Sequence, residues 1–153
     1  MLRVSRLTDY ACVLMTCLAQ GPRETMSAAD LAVLTRLELP TVSKLMKRLS
    51  RGGLVNSSRG AQGGYRLARP SDSITLADIV VAMEGPIGMT QCSVHAGRCH
   101  FESHCGARSN WRRVSDIVVA ALQGVSLAEM QPPTPLAPAR RAGPSAALAL
   151  RTD

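Results

Sequence analysis

Residues 27–69 read "SAADLAVLTRLELPTVSKLMKRLSRGGLVNSSRGAQGGYRLAR", and this run leaves few folds open. Ser27 followed three residues later by Asp30 is the signature of a capping box, so a helix starts there and continues through Leu31, Ala32 and Leu34. The short link "RLEL" leads to a second helix from about Pro40, whose restricted φ suits a first helical turn. Val42, Leu45, Met46 and Leu49 give that helix its buried face, and Gly52-Gly53 end it. Next come two strand-like runs, "LVNSS" and "YRLAR", separated by the glycine-rich "RGAQGG". A helix-turn-helix running directly into a glycine-tipped hairpin is a winged helix.

The flanking segments complete the architecture. Upstream, Val4, Leu7, Ala11, Leu14 and Leu18 follow a spacing of three and four, the stripe of an amphipathic helix that stops at Gly21-Pro22. Downstream, "ITLADIVVAME" from Ile74 to Glu84 predicts a brief strand and a fourth helix, closed by Gly85-Pro86. A further helix is predicted over about Ala107 to Gln123. Trp111, Val114, Val118, Ala121 and Leu122 form its apolar stripe, with Arg112, Arg113, Ser115 and Asp116 largely off it. An amphipathic helix beyond a complete winged helix needs a partner, and a second copy of the chain is the expected one. Beyond Met130 the chain is rich in Pro and Ala without periodicity, which predicts a disordered tail with at most weak contacts from Arg140 and Arg141. The expected fold is mostly α with a small β wing: a winged helix-turn-helix over 1–85, a cysteine-rich loop over 86–106, and a long C-terminal dimerisation helix with a short following helix over 107–130. The tail occupies 131–153.

Charge points to the partner. The chain carries a formal charge of +7, and between Glu38 and Asp72 it has no acidic residue but seven basic ones: Lys44, Lys47, Arg48, Arg51, Arg59, Arg66 and Arg69. They fall on the two elements a winged helix offers to double-stranded DNA. Thr41, Ser43 and Lys44 are placed for base edges, Lys47 and Arg48 extend the same basic helix, Arg51 and Arg66 suit phosphates, and Arg59 at the wing tip suits a minor groove. The competing reading is the solvated basic face of a protein-binding winged helix. No apolar run approaches a membrane span, and the N-terminus, interrupted by Asp9, does not read as a signal peptide, so a cytoplasmic protein without a membrane partner is expected. There is no nucleotide-binding glycine motif and no Cys-x-x-Cys pair, which argues against an enzyme, an electron carrier or a small-molecule substrate.

The segment "CSVHAGRCHFESHC", Cys92 to Cys105, holds three of the five cysteines and all three histidines. An odd cysteine count in a reducing compartment fits a disulfide framework poorly. The cysteines are separated by six and five residues, wider than the usual zinc knuckle. Three spaced thiolates suit an iron–sulfur cluster first, a zinc site second and an unmetallated loop third. Cys12 and Cys17 read as small buried residues.

From "LTDYA" through "GLVNSSRGAQGGYRLAR" to the three cysteines and "SLAEM", residues 1 to about 130 resemble the winged-helix iron–sulfur regulators of the IscR and NsrR type. The branch regulating the SUF cluster-assembly operon is the most similar. The resemblance implies a homodimer that regulates transcription, by repression, according to its cluster status. Its long C-terminal helices would cross between subunits and bring each cluster loop near the partner's first helix. It implies Cys92, Cys99 and Cys105 as ligands, with a 2Fe–2S cluster preferred to 4Fe–4S. Where IscR-type proteins have a histidine three residues after the last cysteine, this chain has Arg108. Asp9 occupies the place of the aspartate that the other subunit supplies in NsrR-type proteins, with His104, His100, His95 and Cys12 as alternatives. Ser43 and Lys44 replace a glutamate and a glutamine of IscR, which implies a different operator. A nitric oxide-responsive or redox-responsive regulator of the same fold, or a zinc-stabilised one, would share these features.

Overall fold

The computed structural model describes residues 4–21, 24–60, 63–95, 99–100 and 104–131. Helix α1 spans Arg6–Gln20, α2 Ala28–Thr35 and α3 Leu39–Arg51; strands β1 (Val55–Ser58) and β2 (Gly64–Leu67) follow. Helix α4 spans Leu76–Glu84, α5 Gln91–Val94 and α6 Arg108–Gln123.

Local chemistry sets the ends of these elements. The Ser5 hydroxyl caps α1 by accepting from the Thr8 N–H at 3.3 Å. Val4, expected in the apolar stripe of this helix, lies before its cap and is exposed, because the cap ends the helical backbone at Ser5. Both Ser27–Asp30 on α2 and Thr75–Asp78 on α4 are complete capping boxes. Helix α2 turns into α3 through Arg36, which takes a left-handed φ of 57°.

Strands β1 and β2 pair antiparallel with Val55 opposite Leu67 and Ser58 opposite Gly64. Met26 joins their edge through reciprocal backbone bonds with Tyr65, 3.0 and 2.8 Å long. This approach needs a glycine at 64, where a Cβ would lie 2.6 Å from the Met26 carbonyl oxygen. The tip turns at Gly60, whose φ of 116° suits glycine. Ala61 and Gln62 of the expected turn lie outside the described residues.

The core is built where α1, α2, α3 and α4 meet. Leu14 and Met15 of α1, Leu31 of α2, Leu45, Met46 and Leu49 of α3 and Ile79 of α4 are fully enclosed. Cys17 lies in this core, and the part-buried Cys12 packs against it.

Three further expectations change. The brief strand at Ile74 is a single bridge: Thr75 pairs with Ser126, flanked by Leu127 N–H to Ile74 O at 2.7 Å. The short helix expected after α6 is a set of hydrogen-bonded turns over 126–130, although Ser126 and Glu129 exchange capping-type bonds. Pro132 and Pro133 follow at once, and they cannot continue a helix. The segment 86–106 is not all loop, since Gln91–Val94 forms α5. The expected tail lies outside the described residues.

Candidate nucleic-acid interface and cysteine segment

Packing of α3 sorts its side chains into two faces. Val42, Leu45, Met46 and Leu49 enter the core, which leaves Lys44, Lys47 and Arg51 exposed on the opposite side. Thr41 and Ser43 are part-buried near the start of the helix. Arg59 is exposed beyond the end of β1 at the wing tip. Arg66 donates to Glu24 at 3.3 Å, but both side chains are well exposed, so this pair is weak and exchanges readily with solvent or phosphate. Arg69 is paired with Asp78 at 3.2 Å. Arg48, expected on the basic face, donates from its guanidinium to the Met83 carbonyl at the end of α4.

The cysteine segment lies between α4 and α6. Cys92 sits on α5, buried, with the Thr90 hydroxyl 3.2 Å from its sulfur. Thr90 also contacts the Ser93 hydroxyl at 2.7 Å. Cys99 and Cys105 are part-buried and His95, His100 and His104 exposed; Gly97 and Phe101 are among the neighbours outside the described residues. All five cysteines are free of disulfides.

Within the chain and among the described residues, no three His, Cys, Asp or Glu side chains gather into a metal cage. Asp9 is exposed and lines an open hollow with Cys12, Glu84 and Met130 at the N-terminal end of α1. Burial, with the Asp9 charge second, pushes the Cys12 thiol up to about 11, so it stays protonated near neutral pH and is a poor thiolate donor. Cys17 is pushed up by burial alone. The three remaining free thiols fit a thiolate-held group by donor chemistry, and they are one ligand short of four.

Sequence reasoning missed two residues here. Ser115 is the buried residue of α6; its hydroxyl donates to the Trp111 carbonyl at 2.9 Å and accepts from the Met89 N–H at 3.1 Å. A serine reads as an outward residue in an apolar stripe, so only its partner reveals its direction. Glu84 accepts at one oxygen from the Ser5 N–H at 2.9 Å and the Thr8 hydroxyl at 2.6 Å. No local pattern links residues so far apart in the chain.

A helix-turn-helix with an exposed cationic second helix and a basic glycine-tipped wing defines a winged-helix DNA-binding protein. The family described as Rrf2, iron-dependent transcriptional regulator, matches residues 4–133, and the chain belongs to it. The HTH-type transcriptional regulator IscR of Photorhabdus laumondii is 29% identical over 130 residues, 84% of this chain and 79% of its own length. The solved structure of CymR, the global cysteine regulator of B. subtilis, is 30% identical with a TM-score of 0.66, covering 85% of this chain and 96% of its own. The structure of T. potens IscR is 31% identical with a TM-score of 0.63, covering 84% and 85%. These relatives are transcriptional regulators, not enzymes. Among the described residues, no helix is long and apolar enough to cross a membrane.

Proposed function

We propose that this Rrf2-family chain is a dimeric transcriptional repressor that responds to iron–sulfur status and controls SUF-type cluster-assembly genes. The observation that carries this reading is the set of three free thiols, Cys92, Cys99 and Cys105, in the single segment joining the winged helix to α6. They would hold the cluster, 2Fe–2S in preference to 4Fe–4S, with the partner subunit's Asp9 as the fourth ligand. When bound, such a cluster supplies a centre whose ligation is sensitive to iron supply and oxidants. The chain's own residues do the rest. Thr90 orients the Cys92 sulfur, and Ser115 ties residue 89 to α6, so the arrangement of the segment is felt by that helix. The exposed face of α6, with Val114 and Ile117, suits pairing with a second copy. Two recognition helices then read two half-sites: Lys44, with Ser43 and Thr41, faces bases, and Lys47, Arg51 and Arg66 face phosphates. Arg59 enters the minor groove.

Similarity to the cysteine regulator CymR supports a second reading. In it, the same fold answers a redox signal through these thiols; a nitric oxide signal, or a zinc ion holding the segment, would use the same residues. Anaerobic purification followed by a visible spectrum and iron, sulfide and zinc analysis separates the cases. Matching iron and sulfide, lost on replacing Cys92, Cys99 or Cys105, supports cluster sensing. Stoichiometric zinc in a colourless protein would overturn it. Equal operator affinity with and without the cluster would overturn the switch.

A further inference from the structure

Arg48 lies in the run of basic residues on α3, yet its contacts differ from those of its neighbours. Its guanidinium donates to the carbonyl of Met83, one residue before the end of α4. A cation on the last carbonyls of a helix satisfies an otherwise unpaired acceptor and matches the negative end of the helix dipole. A guanidinium held this way has less to offer a phosphate. Lys47, in contrast, is exposed.

The next residue, Glu84, closes the connection on the other side. The same carboxylate oxygen accepts from the backbone of Ser5, the α1 cap, and from the buried Thr8 hydroxyl in the first turn. The last turn of α4 therefore holds the recognition helix through Met83 and the N-terminal turn of α1 through Glu84. A third contact removes slack. At Gly52, just past α3, a Cβ would lie 2.6 Å from the Ala82 Cβ, so the two helix ends are already at closest approach.

We propose that Arg48 is a positioning residue for operator binding: with Met83 and Glu84 it locks the recognition helix to the first turn of α1 and so sets the angle at which α3 enters the groove. The lock requires only that the chain bind DNA. If the cluster-sensing reading above holds, Asp9 rides on the locked turn, and the two sites are then mechanically joined.

The test uses the full chain and a duplex selected by it from random-sequence DNA, with binding to that duplex and to a random duplex measured between low and moderate salt. Lys47→Ala, the phosphate-contact control, lowers the salt slope by about one for both duplexes. Arg48→Met keeps the packed stem but not the donor. It weakens the selected duplex about tenfold, the scale of one hydrogen bond to a charged group. Random-duplex affinity and both salt slopes stay unchanged. Glu84→Ala removes a negative charge and should tighten any purely electrostatic complex; the lock predicts that it too weakens the selected duplex. The double variant is then no worse than the weaker single one.

Loss of about one from the salt slope in Arg48→Met would make Arg48 a phosphate contact and overturn the proposal. So would unchanged or tighter specific binding by Glu84→Ala. Thermal unfolding confirms that each variant is folded at the assay temperature. Should Arg48→Met fail to fold, Glu84→Ala at the exposed end of the lock decides alone.

Discussion

The winged helix and the segment after it are built to different degrees of completion. Before Gly85, four helices and the wing share one apolar core whose large residues are fully enclosed. After it, among the described residues, only Cys92, Ser115 and Leu127 are buried, and α6 leaves Trp111, Val114 and Ile117 exposed. The first region is closed except for one contribution from beyond Gly85, Leu127, which is fully enclosed in its core. The second has thiols without a common ligand cage and a helix with an uncovered apolar face. A DNA-binding scaffold must hold its geometry, whereas an element left open within the chain can be completed from outside it.

Core truncation should separate the two regions most sharply. Leu45→Ala in α3 is expected to destabilise the protein by about 2–5 kcal/mol in urea unfolding, the cost of a cavity at a site that cannot collapse. Ile117→Ala on α6 is expected to cost under about 0.5 kcal/mol at protomer level. A similar loss at both positions would show that α6 belongs to the same core.

Charge placed on the uncovered face tests what completes it. Ile117→Asp is expected to convert a dimer to monomer in sedimentation velocity while near-native secondary structure remains. A dimer of unchanged affinity would put the interface elsewhere.

Smaller effects probe the links between the regions. Ser115→Ala leaves the Met89 N–H without its acceptor and should cost about 1–2 kcal/mol, with faster hydrogen exchange at residue 89. Unchanged exchange there would mean that the bond does not tie the segment to α6.

The smallest effect is one of pH. The Thr8 hydroxyl, then the Ser5 N–H, hold the Glu84 carboxyl below its ordinary value, with Arg48 adding a little. A carboxylate depressed on folding contributes stability above its unfolded pKa of about 4.3, lost as pH falls through the lower folded value. The melting temperature should therefore fall below about pH 4 more in the parent than in Glu84→Ala. Parallel curves would remove Glu84 from the α1–α4 junction.

Much of this molecule is legible in its chain because local rules operate there. The boxes at Ser27–Asp30 and Thr75–Asp78 span three residues, and the stripe of Val42, Leu45, Met46 and Leu49 is a helical period. The glycines of the wing mark its turn, and the cysteines stand close in sequence. Other features are not legible. Nothing local shows that the Arg48 guanidinium reaches the Met83 carbonyl, and a serine beside an apolar stripe looks solvent-facing.

The sequence by itself determined the helices, their caps, the wing and the cationic face of α3, because hydrogen-bonding reach and side-chain period act over a few residues. Only the tertiary structure decided that Arg48 grips Met83, that Ser115 turns inward to Met89 and that Glu84 holds Ser5 and Thr8. Those partners lie 35, 26, 79 and 76 positions apart, and packing alone brings them together.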